Sequence, residues 1–201
     1  MKTRDVDTAI KVFHEEGGTL RTRDLIAHGI HTDTLYALRK SGRVVQLGRG
    51  VYRLSDRGEA EYPDLVLAAT RAPDVVVCLI SALSFHEITS QIPASVHLAV
   101  PRGNYHRIKL SIPVTVYRFD PATFNEGIEM HRIGGKTVRI YGVARTIIDC
   151  FKFRNKIGMD VVLESLHLAR QRKRVQNREL IHYARLLRVA APISPYLQSL
   201  E

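Results

Sequence analysis

Residues 32–54 read TDTLYALRKSGRVVQLGRGVYRL, and two patterns follow one another directly in this stretch. Leu35 and Leu38 recur at helical spacing behind Thr32, a residue type that favours a helix N-cap, so the pattern predicts a helix over 33–41. Two short runs rich in β-branched and aromatic residues then flank the sequence Gly-Arg-Gly. Glycines between two such runs predict a β-hairpin that carries Arg49 at its tip.

Two further helices are predicted before this stretch. The first ends at two consecutive glycines, and its apolar stripe consists of Val6, Ile10 and Phe13. The second covers residues 21–28, with Thr22 as its N-cap, Leu25 and Ile26 as its buried pair, and Gly29 as the residue that ends it. Two short helices joined by a tight glycine turn form a helix-turn-helix. Together with the hairpin, they predict a winged helix-turn-helix domain in residues 1–57.

Charge is concentrated in the same region. The chain of 201 residues has 30 Lys and Arg against 20 Asp and Glu, a formal charge of +10. Between Arg21 and Arg53, seven cations stand against Asp24 and Asp33, which gives 7 − 2 = +5 on 33 residues. A strongly basic segment favours a polyanionic partner, and double-stranded DNA is the partner that a winged helix binds.

Individual contacts follow from the order of residues on the third helix. Short polar and aromatic side chains come first and cations come last, as expected for a helix whose N-terminal part enters the major groove. The predicted base-edge or sugar contacts are Thr32, Thr34 and Tyr36. The predicted phosphate and wing contacts are Arg39, Lys40, Arg43, Arg49 and Arg53. The alternative is a three-helix packing module whose cations are merely solvated, but that module has no use for an arginine between two glycines at a hairpin tip.

The segment 55–63 is rich in charge and contains a glycine and a proline, so it predicts a linker. Helix and strand patterns alternate beyond it. Strands are expected at 74–79, 95–100, 114–119, 127–133 and 136–141, and helices at 64–71, 81–88, 143–153, 160–170 and 176–189. The predicted fold class is α+β, with a winged helix-turn-helix followed by a C-terminal domain, residues 58–201, that has a mixed sheet of four or five strands and a helical end.

Motifs for catalysis are weak in this sequence. Gly134-Gly135-Lys136-Thr137 ends like a phosphate-binding loop, but the required earlier glycine is Met130, so a two-glycine hairpin turn is predicted instead. Cys78 and Cys150 have no metal-ligand spacing and are expected in the core. No metal site, cofactor or catalytic residue is predicted, and the protein is expected not to be an enzyme.

Three polar features remain. His86 lies near Ser84 and Glu87, without the glycine-lined site that a catalytic triad would need. Arg145 and Asp149 are one helical turn apart, which predicts a structural ion pair. The basic stretch 170–174 is either a solvated helix face or a further contact surface for nucleic acid or an acidic protein.

The chain resembles the AbiEi family, the antitoxins of type IV toxin–antitoxin systems. The segments that carry the resemblance are Leu47–Leu54, Ser81–Leu83 with His86, Val96–Gly103 and Arg145–Cys150. One departure is Glu87, where the family often has glycine.

The resemblance implies an N-terminal unit that represses its own operon by binding inverted repeats in its promoter. It also implies a C-terminal unit that counters a co-encoded nucleotidyltransferase-type toxin. Two other functions stay open at this point, a transcription regulator with a sensing domain and no toxin, and a nucleic-acid-acting enzyme with a winged-helix targeting module. The chain has no signal-peptide pattern at its start and no apolar run long enough to cross a bilayer, so a cytoplasmic protein without membrane contact is expected.

Overall fold

The computed structural model describes residues 3–57, 61–103, 108 and 110–198. The chain divides into two compact units. Unit 1 contains Met1–Val75, His106–Ile112 and Met130–Val138, and unit 2 contains Val76–Tyr105, Pro113–Glu129 and Arg139–Glu201. The predicted division between residues 57 and 58 falls inside unit 1, and a separate DNA-binding domain of residues 1–57 stays a prediction.

Unit 1 begins with the helices and the hairpin that the sequence predicts. Its elements are α1 (Thr3–Glu15), β1 (Thr19–Arg21), α2 (Thr22–Ala27), α3 (Thr32–Lys40), β2 (Val44–Gly48), β3 (Val51–Leu54) and α4 (Pro63–Arg71). The strands form one antiparallel sheet in the order β1-β3-β2. The sequence did not predict β1, which is three residues long. This strand makes β3 the central strand of the sheet.

Several local predictions in unit 1 need correction. The N-cap of α2 is Arg21 rather than Thr22, and the N-cap of α3 is His31 rather than Thr32. Leu25 is buried as predicted, whereas Ile26 is 54% exposed. Helix α2 is only six residues long, and Leu25 is its one buried residue in the core that it shares with α1 and α3.

The second sheet is mixed and covered by helices, as the α+β prediction requires; most of its residues belong to unit 2, and Met130–Val138, in the hairpin of its last two strands, belong to unit 1. The elements that follow α4 are β4 (Val76–Val77), α5 (Leu79–Phe85), β5 (Val96–Pro101), β6 (Val114–Phe119), β7 (Ile128–Ile133), β8 (Lys136–Tyr141), α6 (Val143–Lys152), α7 (Arg154–Ile157), α8 (Met159–Gln171), α9 (Asn177–Leu186) and α10 (Ala190–Gln198). The order of the five strands is β6-β5-β4-β8-β7. Strand β4 runs antiparallel to β5 and parallel to β8, and β5 runs parallel to β6.

The junction of β4 and α5 differs from the prediction. The strand is two residues long, and Cys78 rather than Ser81 is the N-cap of the helix, which begins at Leu79. Ser81 has another role, because its hydroxyl accepts a hydrogen bond from the backbone N–H of His97 at 2.9 Å. This bond fixes α5 to β5. Helices α7 and α10 were not predicted.

The Gly134-Gly135 turn joins β7 to β8, so this segment is a hairpin and not a phosphate-binding loop. Both glycines have positive φ, +54° and +78°, as a type I′ turn requires. The prediction made from the two glycines is therefore confirmed. Within the described residues, no helix is both long enough and apolar enough to cross a membrane.

Candidate nucleic-acid interface

Helix α3 presents one polar face to solvent. Leu35 and Leu38 are buried in the core of unit 1, as predicted. Thr32, Arg39 and Lys40 are exposed on the outer side of the helix, together with Tyr36, which is 59% exposed. A large aromatic side chain that is open to solvent on a short helix is available to stack on sugars or to contact base edges.

Thr34 does not belong to this outer face. Its side chain is buried, with 4% exposure, so its predicted base contact is withdrawn. The physical reason is that α3 packs against both α1 and α2, which widens its buried face beyond the Leu35 and Leu38 stripe. The remaining predicted contacts of the helix, Thr32, Tyr36, Arg39 and Lys40, are all accessible.

The wing is the hairpin of β2 and β3. Its register pairs Gly48 with Val51, so the turn consists of Arg49 and Gly50. Gly50 has a φ of +67°, a conformation that favours glycine, and its carbonyl accepts a hydrogen bond from the N–H of Thr22 at 3.0 Å. The turn is thus fixed to the start of α2, and Arg49 is exposed at its tip.

The two other arginines of the hairpin differ from one another. Arg43 precedes β2 and is exposed, as its predicted phosphate contact requires. Arg53 is only 5% exposed, and it lies on the central strand β3, opposite Thr19 on one side and Val45 on the other. The predicted DNA contact of Arg53 is therefore withdrawn. The sequence did not predict the central position of β3, since this position depends on β1, whose Thr19 is 34 residues before Arg53 and which is only three residues long.

Acidic neighbours decide which cations are available to a polyanion. Asp24 accepts from Arg21 at 2.9 Å and lies 3.5 Å from Arg23. Partial burial acts to raise the pKa of Asp24, but the hydrogen bonds and the charge of Arg21 outweigh it and lower that pKa. In the part of the chain that the structure describes, no carboxylate lies within 4 Å of the cationic nitrogens of Arg39, Lys40, Arg43 or Arg49. These four cations form an uncompensated positive surface.

The same region matches a known family. Residues 7–55 match the model of the family "Transcriptional regulator, AbiEi antitoxin". The N-terminal segment is AbiEi-like. This match confirms the resemblance for the winged helix, and it ends one residue after β3. No curated protein matches the chain significantly in sequence.

A solved structure supports the fold over nearly the whole chain. The crystal structure of the RV2827C protein from Mycobacterium tuberculosis superposes with a TM-score of 0.58 at 14% sequence identity. The superposition covers 92% of this chain and 72% of that one. At this identity the likeness shows a shared α+β fold.

The polar residues outside the AbiEi-like segment have structural roles in unit 2. His86 is buried at the end of α5, and its Nε2 lies 2.8 Å from the carbonyl oxygen of Tyr141. Arg145 and Asp149 form the predicted ion pair, with 2.8 Å between Nε and Oδ2. Burial raises the pKa of Asp149 to about 6, although the charge and the hydrogen bond of the Arg145 guanidinium act to lower that pKa.

Cys78 and Cys150 are free and buried, as predicted, and burial raises the pKa of both thiols.

Among the described residues, no three His, Cys, Asp or Glu side chains are grouped so that they could hold a metal ion.

Proposed function

We propose that this protein is a DNA-binding transcriptional regulator that represses its own operon by binding inverted repeats in the promoter. The observation that carries this proposal is the joint exposure of Tyr36, Arg39 and Lys40 on α3 and of Arg49 on the wing, within a segment that matches an AbiEi regulator model. Thr32 and Arg43 complete the proposed contact surface. Residues that approach the phosphates position the protein, and those that reach base edges read the sequence.

Specific binding separates this proposal from simple attraction between a basic protein and DNA. Fluorescence anisotropy with labelled DNA from upstream of the gene should give at least ~10³-fold tighter binding than a shuffled duplex of equal length. The Tyr36→Ala variant should lose most of this preference while retaining non-specific binding. Thr8→Ala, a substitution at an exposed position of α1, serves as the control for the preparation. Equal affinity of the wild-type protein for both duplexes would contradict the proposal.

We further propose that unit 2 carries the antitoxin function, by countering a co-encoded nucleotidyltransferase-type toxin, and that it does so without catalysis. Support comes from the family description, which names an antitoxin, and from the structural use of the buried Arg145, Asp149 and His86 side chains. Co-expression with the product of the neighbouring gene should restore growth in cells that the neighbour alone inhibits. Failure of the full-length chain to rescue would contradict the antitoxin proposal and would leave the DNA-binding proposal standing.

A further inference from the structure

A cleft beside the wing is not used by the contacts described so far. It has a volume of about 280 Å³ and lies within unit 1. Its lining comes from the wing turn, from α4 and from the segment before β6, through Arg49, Leu67, Arg71, Leu110 and Ser111. The volume is below the ~300–1,000 Å³ of pockets for drug-sized ligands, so the cleft suits a smaller group.

Close packing brings α4 to the wing turn. A methyl group on Gly50 would lie 3.9 Å from Nη1 of Arg71, so this guanidinium reaches the turn that carries Arg49. A methyl group on Gly48 would come within 2.5 Å of Ser111 Oγ and 3.0 Å of the Leu67 side chain. Glycine at position 48 is therefore what allows the serine hydroxyl and the leucine to border the cleft.

The two arginines carry an uncompensated charge. Among the residues that the structure describes, neither Arg49 nor Arg71 has a carboxylate within 4 Å, and both are exposed. The two guanidinium groups are donors only and the serine hydroxyl can also donate, so the cleft offers positive charge and several hydrogen-bond donors, and planar guanidinium groups match the oxygens of a phosphate. Leu67 and Leu110 add an aliphatic wall, which suits the carbon atoms of a sugar next to that phosphate.

We propose that Arg49, Arg71 and Ser111 form a binding site for one phosphodiester group, and that this phosphate belongs to DNA that also contacts the wing. The inference rests on the proposed DNA-binding function and extends its contact surface to α4. Arg71 and Ser111 are 22 and 62 residues beyond Arg49 and lie outside the AbiEi-like match of residues 7–55. The shared chemistry is a phosphate group, and free inorganic phosphate is the other possible source.

The test is a double-mutant cycle on DNA affinity across a salt series. Arg71→Gln should raise Kd for promoter DNA several-fold and lower the slope of log K against log salt by less than one unit, whereas the double variant with Arg49→Gln should lower the slope by about one unit. Because Arg49 and Arg71 hold the same phosphate, the double variant with Arg49→Gln should lose less affinity than the sum of the single losses. Arg118→Gln removes an equal charge from an exposed position on β6 and should leave the slope almost unchanged.

Further measurements distinguish failure of the cleft proposal from failure of the DNA-binding proposal. If Arg71→Gln behaves like Arg118→Gln while Arg39→Gln still weakens binding, the cleft proposal is wrong and the DNA-binding proposal stands. If the wild-type protein does not bind promoter DNA, the proposed function itself fails.

NMR titration with inorganic phosphate, read at the Arg71 Nε–Hε resonance, shows whether the site takes free phosphate rather than the phosphate of DNA. Saturable phosphate binding without an effect of Arg71→Gln on DNA affinity would overturn the assignment to DNA. Arg71→Lys, which keeps the charge and loses the planar fork, should restore only part of the affinity.

Discussion

Arg145 and Asp149 form an ion pair in the core of unit 2, with 2.8 Å between Nε and Oδ2 and with side-chain exposures of 1% and 2%. The same guanidinium donates through Nη1 to the carbonyl oxygens of Thr123 and Glu126, both at 2.8 Å. Its Cζ lies 4.6 Å from the centre of the Tyr141 ring. One arginine therefore joins α6 to the loop before β7 and to the end of β8.

Removal of the Asp149 carboxylate should strongly destabilise unit 2, because it leaves the Arg145 charge buried without its partner. Asp149→Ala should lower the free energy of unfolding by about 3–5 kcal/mol, measured by urea denaturation. The paired variant Arg145→Met with Asp149→Leu should cost less than the sum of the two single losses. Additive losses would contradict a direct pairing of these two side chains.

Acid should destabilise the protein through His97. This side chain is 9% exposed, its ring packs against Tyr117 at 5.1 Å between centroids, and burial lowers its pKa. Between the ordinary pKa near ~6.5 and the lower folded value, the unfolded chain binds a proton that the folded chain does not. Its contribution to stability is thus complete above pH ~6.5 and is lost as the pH falls, with a limiting slope of about 1.4 kcal/mol per unit.

The measurement compares unfolding free energies of the wild-type protein and His97→Gln at several pH values from 5 to 8. The variant should show a flatter dependence below pH ~6.5, since it has no group that titrates at this position. Parallel profiles would show that His97 is protonated equally in the folded and unfolded chain.

Replacement of Glu87 by glycine should stabilise the protein. Glu87 has a φ of +58° directly after α5, and its N–H donates to the carbonyl of Ser84 while the N–H of Ile88 donates to that of Leu83. This is the Schellman pattern, which favours glycine at the left-handed position. Relief of ~1–2 kcal/mol of strain outweighs the ~0.5–1 kcal/mol that glycine costs in chain entropy. A gain of about 0.5–1 kcal/mol in urea denaturation is expected, and Glu87→Ala should show no gain.

The hairpin turn at Gly135 should be far less tolerant of a side chain than the turn of the helix-turn-helix. Gly135 and Gly29 have almost equal φ values, +78° and +75°. A methyl group at position 135 would overlap the backbone oxygen of Gly17, whereas one at position 29 would meet nothing within 4 Å. Gly29→Ala should therefore cost only the ~1–2 kcal/mol of left-handed strain. Gly135→Ala should cost clearly more by thermal or urea unfolding, and equal losses would contradict the close approach to Gly17.

Local patterns sufficed to predict the helices α1, α2 and α3 and the two wing strands, because helical spacing and glycine turns act over a few residues. They failed where the structure depends on distant partners. Thr34 and Arg53 are buried, one on a helix that packs against α1 and the other on a strand that pairs with β1, and no pattern near those two residues reveals these partners. The cleft depends on Arg49, Arg71 and Ser111, which only the folded chain brings together. In contrast, Arg145 and Asp149 were predicted correctly as a pair because one helical turn determines their proximity.

The proposed function depends on the exposed cations of α3 and the wing, which bind the phosphates of promoter DNA. Its most direct test is the salt dependence of DNA affinity for the wild-type protein and for the double variant Arg39→Gln with Lys40→Gln. We expect log K to fall with log salt with a slope of several units, and the double variant to lose about two units of that slope. An unchanged slope in the double variant, with Arg118→Gln as the matched control, would contradict the claim that this surface contacts DNA.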